Sequence, residues 1–524
     1  MIIDKILGKL TANSSVVALL LVFVVVYQSY FIFFGLDFQD GFYHINRMIS
    51  NQPYVMAFLS YKIGYLWYLI FGKSILGFRI FNLIIYLFAL FCPIILVREK
   101  RKYLILLVIT NFFYALLNWN LIGYDTFSMF FVVLTTVFVI QYLNQPNYKS
   151  LFLVTLFSAL AIACRLPNLL ILPAISAVFF LNKNKVGLKS VLIFFLTTLV
   201  FFSGIVLIFY GRLQEYFLEI KNASAGSSED HSLTQLIQGY VNHLLFIVKI
   251  VLVLLSLYFI YTKYWQNKIG KAFVILVSIL LFVLYYKKIF ATGFNTKAAL
   301  FFAGVVMSIG FIQLLFVIKN KKDRNNFLQS FLPVLVLAFI PCLGSNSGLK
   351  YAGFFVVFLP FMWLNSNLKG NYFFIVLLTL LIPFTVVEKY RIKFMDESQN
   401  QLVNQYETNH LKGIYSTPER INYVNRVSND YQQYKDKKIL FYGLNSHIFN
   451  YLYNDSKWIF ETFAMKLDSK KDLEVISEVV SVSRPIFFIT SYDIQSNPSL
   501  VEKQIMDLNY RREVKKDYAI LIPN

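Results

Sequence analysis

Charge is scarce in this chain. Of its 524 residues only 15% are Asp, Glu, Lys or Arg, against 57% hydrophobic and 18% aromatic. A water-soluble protein of this length carries charge at about a quarter of its positions, so the shortage excludes an ordinary soluble protein. A mean hydropathy of +0.59 agrees. Acids are rarer still, 28 against 49 Lys and Arg, and the long apolar runs are nearly free of them. That weighs against a transporter or flippase, which needs ionisable residues or broken helices near mid-membrane in paired halves. Cysteine is almost absent. Cys92, Cys164 and Cys342 lie far apart, which excludes a disulfide framework or a cysteine metal site. No small-residue cleavage site follows the first apolar run, so a retained first helix is expected rather than a signal peptide. No internal repeat stands out.

What is present is a series of apolar blocks of roughly 15–22 residues, the length of a membrane-crossing helix. The formal charge of +21 gathers in short loops: Arg98, Lys100, Arg101 and Lys102; Lys183, Lys185 and Lys189; Lys319, Lys321, Lys322 and Arg324. Such clusters mark cytoplasmic loops, so the basic excess is a topology signal and no nucleic-acid partner is expected. Anchoring them inside predicts a polytopic α-helical membrane protein with about thirteen spans, near 16–35, 78–97, 103–118, 127–143, 151–164, 168–181, 191–210, 241–261, 272–285, 298–318, 327–343, 351–364 and 371–387. The N-terminus is then cytoplasmic, and a membrane domain 1–388 precedes an outer, soluble α/β domain 389–524. In the latter, Ser416-Thr-Pro-Glu419 reads as a capping box, and 438–443, 485–491 and 518–523 read as strands.

An outer loop, 36–77, opens with FGLDFQDGFYHINR. On a helix Asp40, Tyr43, His44 and Arg47 share one face, at i, i+3, i+4 and i+7. Phe42, Ile45 and Ile49 share another, which is expected to lie in lipid while the polar ridge turns to the protein. Such a ridge can do chemistry. A carboxylate can deprotonate a hydroxyl or hold a divalent cation, and fixed basic groups can bind a phosphate leaving group. The carboxylate candidates are Asp40, Asp37 and Asp125, with Glu229 and Asp230 on a later loop beside His231. The basic candidates are Arg47, Arg79, Arg165, Lys287, Lys288, Lys297 and Lys350, with Tyr43 beside them. For a metal such as Mg or Mn the candidates are Asp40 and His44. Plainer readings compete: solvated loop carboxylates, a packing role for His44, and snorkelling lysines at 287 and 288. Arg165 precedes Leu166-Pro167, which breaks two short apolar runs. It is expected below the outer surface, where an arginine needs a partner.

The pattern resembles the GT-C superfamily of integral-membrane glycosyltransferases, in the branch with protein O-mannosyltransferases and bacterial aminoarabinose transferases. The matching elements are Asp40-Gly-Phe-Tyr43 after the first helix, Phe71-Gly-Lys-Ser74 and Arg79-Ile-Phe-Asn82. Asn120-Leu-Ile-Gly-Tyr124-Asp125, Cys164-Arg165-Leu-Pro167-Asn168 and Gly344-Ser-Asn-Ser-Gly348 follow. Many members carry an Asp-Glu pair in the first loop, whereas here Gly41 follows Asp40. The resemblance implies transfer of a sugar from a polyprenyl-phosphate donor to a lipid, glycan or protein acceptor outside the bacterial cytoplasmic membrane. Asp40 would then be the general base or an acceptor-orienting acid, and Arg47, Arg79, Arg165 and the outer lysines would be the candidates to bind the lipid phosphate. The competing expectations are an O-antigen or capsule polymerase and a lipid-linked glycan flippase.

Overall fold

Asn13 starts the first membrane helix by accepting the backbone N–H groups of Ser15, at 2.9 Å, and Val16, at 3.4 Å. This computed structural model describes residues 13–524 except 52–53, 119, 121, 226–232, 265–266, 291–295, 320, 345–347, 367–370, 392–395, 444, 454–469 and 491–497. Helix α1, Ser14–Tyr30, is apolar on every side and buries only Val17, Val24 and Gln28 against protein. A helix of that kind needs lipid around the rest of its surface.

Among the described residues, nine segments are long and apolar enough to cross a membrane. They are Ser14–Phe33, Ile75–Leu96, Tyr124–Asn144, Leu188–Tyr210, Thr234–Lys263, Thr296–Val317, Asp323–Cys342, Gly348–Asn365 and Tyr372–Arg391. The chain is thus a polytopic helical membrane protein. The other four expected spans fall on shorter apolar helices, Tyr148–Cys164, Leu166–Leu181 and Ala272–Leu284, and on Lys100–Leu117, whose first turn holds three basic residues. Burial sorts the nine. Only 22% of Leu188–Tyr210 is covered by protein, against 72% of Tyr124–Asn144 and 89% of Gly348–Asn365. The last two form the middle of the bundle, and they carry Asp125 and Lys350.

Loop 36–77 folds into two helices, α2 (Asp40–Ile49) and α3 (Phe58–Phe71). Gly72, at φ +73°, ends α3, and Ser74 caps α4 (Ile75–Phe91) by accepting Gly77 N–H at 3.3 Å. Helices α5 (Lys100–Leu117), α6 (Tyr124–Asn144) and α7 (Tyr148–Cys164) follow, α6 packing along α7. Further on, α8 (Thr296–Lys319) lies against a 3₁₀ segment, Gly348–Phe358. The two approach so closely at Gly353 that an added Cβ would sit 2.3 Å from the Ala299 carbonyl oxygen.

The apolar face of α2 corrects the expectation of lipid contact. Phe42 and Ile45 are buried within protein, the Phe42 ring lying 5.0 Å from that of Tyr451. The covering surface comes from the C-terminal residues. There, β1 (Asn404–Gln405) pairs with β2 (Tyr415–Ser416), and β3 (Ile439–Tyr442), β4 (Ile486–Thr490), β5 (Tyr510–Val514) and β6 (Tyr518–Pro523) form a sheet of order β3-β4-β6-β5. Only β3 and β4 are parallel. Helix α9 (Pro418–Gln433) is capped by Thr417, not Ser416: the Thr417 hydroxyl accepts Arg420 N–H, while Ser416 donates to Asp396. Helix α10 (Ser446–Tyr453) follows β3 and packs against α2. At the exit of the first span Gly35 N–H donates to the Tyr415 carbonyl at 3.0 Å, joining β2 to the start of the loop.

Candidate functional site

The loop that carries Asp40 is braced by two of the residues picked out in the sequence. The carboxylate of Asp37 accepts Gln39 N–H at 2.9 Å and Gly41 N–H at 2.8 Å, which satisfies donors at the start of α2. Burial, with the neighbouring Asp40 carboxylate, pushes the Asp37 carboxyl up to about 7. Arg79, from α4, donates to the carbonyls of Ile32, at 2.6 Å, and of Gly35. Both side chains serve backbone groups of the loop.

Asp40 is the first residue of α2 and is half-buried. Burial raises its carboxyl above the ordinary value, and the positive charge of Lys350 opposes that shift. One turn on, His44 Nδ1 lies 2.8 Å from the Tyr61 hydroxyl, and its ring meets that of Tyr124 edge-on at 5.2 Å. Gly123 permits this approach, since a Cβ there would be 3.1 Å from His44 Cδ2. Burial, then Arg47 and His447, hold the imidazole down at about 3, so it is neutral. Arg47 is buried with its guanidinium 4.9 Å from the Tyr43 ring centroid, and the Tyr43 ring lies 5.3 Å from that of His447.

A second group faces the first. Asp125, in the first turn of α6, accepts the Tyr351 hydroxyl at 2.5 Å and lies 3.7 Å from Arg165 Nε. Arg165 follows α7 in an extended conformation, φ −162° and ψ 110°, because Pro167 lacks the N–H that would continue the helix and its ring would clash with the carbonyl four residues back; Leu166 then opens a 3₁₀ turn, Leu166–Leu170. It is buried, donates through Nη1 to the Pro341 carbonyl, and stands 5.8 and 6.0 Å from the Tyr124 and Tyr351 rings. The buried Lys350 lies over the Tyr351 ring at 5.0 Å and interacts electrostatically with both Asp125 and Asp40. The arrangement brings two cations, Arg165 and Lys350, to Asp125, and Lys350 also to Asp40, in a wall of tyrosines, with Arg47 beside Tyr43 and His44. Chemically, it can bind an anion and take a proton from a hydroxyl.

Other sequence candidates lie elsewhere. Lys297 is half-buried in the first turn of α8, away from these contacts. The side chains of Lys287 and Lys288, like Glu229, Asp230 and His231, fall outside the described residues. Among the described residues no group of three or more His, Cys, Asp and Glu gathers around Asp40 and His44 or anywhere else. Sequence reasoning missed Tyr61, Tyr351 and His447. Tyr351 directly follows Lys350 but is hidden among 35 tyrosines. His447 arrives from 401 residues beyond Asn46, whose Nδ2 donates to its carbonyl at 2.8 Å. Compared with known proteins, the chain matches no family model, and no curated protein matches it.

Proposed function

We propose that this chain is a glycosyltransferase that moves a sugar from a polyprenyl-phosphate donor to an acceptor hydroxyl at the outer face of a bacterial cytoplasmic membrane. Thirteen spans, an inside N-terminus and an outer C-terminal α/β domain belong to the same proposal. The observation that carries it is the reach of one buried ammonium, Lys350, to two acids, Asp40 and Asp125. An acid beside fixed positive charge is what transfer from a phosphate requires. In this scheme Asp40 accepts the proton of the acceptor hydroxyl as its oxygen attacks the anomeric carbon. The bond from that carbon to the phosphate oxygen breaks, and polyprenyl phosphate leaves with the electron pair. Lys350, Arg165 and Arg47 hold the charge that develops there. Asp125, tied to Tyr351 and Arg165, orients the basic groups.

No metal step is included. Mg and Mn take several oxygen ligands, whereas Asp40 faces an ammonium and Asp125 is engaged by a hydroxyl and a guanidinium.

The test is mass spectrometry of surface glycans and lipid-linked sugars in a deletion strain complemented with wild type or Asp40→Asn. Loss of one sugar in both the deletion and the variant, with donor lipid accumulating, is expected. Full restoration by Asp40→Asn would sink the assignment of Asp40. Single repeat units in place of long chains in the deletion strain would instead identify a polymerase.

A further inference from the structure

The turn between β3 and α10 holds polar groups that no part of the site described so far uses. Asn445 and Ser446 are fully buried, and neither the two carboxamide atoms of Asn445 nor Ser446 Oγ has a hydrogen-bond partner among the described residues. Asn445 stands immediately before the first residue of α10, where an asparagine ordinarily caps its helix. Its Oδ1 makes no such bond. A buried amide left unpaired costs stability, so an orphan of this kind calls for an explanation.

The surroundings point to a ligand. The turn lies at the carboxyl ends of β3 and β4, the parallel pair of the sheet, and open α/β sheets bind ligands just outside such strand ends. The backbone there is specialised: Gly443 has φ +111°, and an added Cβ would sit 2.7 Å from the Thr490 carbonyl oxygen. The backbone N–H of Asn445 donates to the same oxygen at 3.0 Å. The turn is also joined to the Asp40 helix, through Asn46 Nδ2 on the His447 carbonyl and the Tyr43–His447 ring contact.

From these contacts we infer that Asn445 and Ser446 form a subsite for an uncharged, hydroxyl-rich group, a sugar ring of the acceptor. A carboxamide offers two donors and an acceptor and a hydroxyl offers both, the complement of a sugar's vicinal hydroxyls. The assignment of that sugar to the acceptor rests on the transferase reading; the binding of a sugar does not.

The experiment uses the full-length chain in lipid nanodiscs. Saturation-transfer NMR is recorded with N-acetylglucosamine, methyl α-mannopyranoside and methyl α-glucopyranoside, on wild type, Asn445→Leu and Ser446→Ala. At least one sugar should receive saturation from the wild type, and the signal should fall about tenfold or more in both variants. Replacing an unpaired buried amide by an apolar side chain of similar size should leave the melting temperature unchanged or raise it. Absence of saturation from all three sugars on the wild type overturns the subsite. So does a melting temperature of Asn445→Leu clearly below wild type, which would show that the amide serves the fold. If an Asn445-dependent sugar signal accompanies intact glycans in the deletion strain, the subsite stands and the transferase reading falls.

Discussion

Leu36, just ahead of Asp37, is held at both ends of its peptide unit by one ion pair. Its N–H donates to Asp396 Oδ2 at 2.8 Å, and its carbonyl accepts Arg420 Nη2 at 2.7 Å. Arg420 Nη1 lies 3.0 Å from Asp396 Oδ1, Ser416 donates to Asp396 Oδ2 at 3.0 Å, and the guanidinium covers the Phe38 ring at 4.1 Å. The side chains are 0% and 13% exposed, so solvent screens the pair little. Asp396→Ala leaves the guanidinium buried without its carboxylate, which costs about 3–5 kcal/mol for a pair of this kind. If that cost is confined to the loop, about 3 kcal/mol corresponds to roughly a hundredfold rise in the population of the opened loop. Hydrogen–deuterium exchange with mass spectrometry reads this directly. Peptides over residues 34–49 should exchange about a hundredfold faster in Asp396→Ala, while peptides over 439–442 and 486–490 keep wild-type protection. The neutral double variant Asp396→Asn, Arg420→Gln should be less damaging than the sum of its singles, since it leaves no unpaired charge. Unchanged protection over 34–49 would refute the clamp. Equal loss of protection in the sheet would show that the ion pair serves the C-terminal fold rather than the loop.

Substitutions at two other positions test the site from the opposite side. Asp40 must be ionised to act as a base; burial raises its pKa and Lys350 lowers it, so removing the ammonium raises it further. Lys350→Met should therefore move the acid limb of the pH–rate profile to higher pH, Lys350→Arg should leave it near the wild-type position, and a limb unmoved in Lys350→Met would separate the two residues. Gly353→Val places a side chain where even a Cβ would be 2.3 Å from the Ala299 carbonyl oxygen. Overpacking of this kind costs about 1–3 kcal/mol, so the purified variant should melt below wild type and show weakened transfer, because the displaced segment carries Lys350 and Tyr351; wild-type melting would contradict the close approach.

The parts of the site legible in the sequence are those set by local geometry. Helical spacing places Asp40, Tyr43, His44 and Arg47 on one face whatever surrounds them, and Pro167 forces the chain open at Arg165 regardless of its partner. What periodicity does not carry is the identity of the surface that an apolar face meets. Phe42 and Ile45 would look the same facing lipid or facing Tyr451. The same limit applies to Asp37 and Arg79, whose residue types suit a phosphate site but whose partners are backbone groups of their own loop. Strand β5 escaped notice because Tyr510-Arg-Arg-Glu-Val514 is polar, as an edge strand with only Tyr510 fully buried can be.

Two contacts that fix the Asp40 helix come from far along the chain. Leu36 meets Asp396 across 360 residues, and Asn46 meets His447 across 401. A short helix such as α2, ten residues long, is marginal without tertiary support, and its polar face carries the acid on which the proposed chemistry depends. The C-terminal residues therefore do more than cover the loop. They hold the backbone ahead of Asp37, bury the apolar face of α2 and place His447 beside Tyr43, so the position of Asp40 is a property of the whole chain rather than of the motif that contains it.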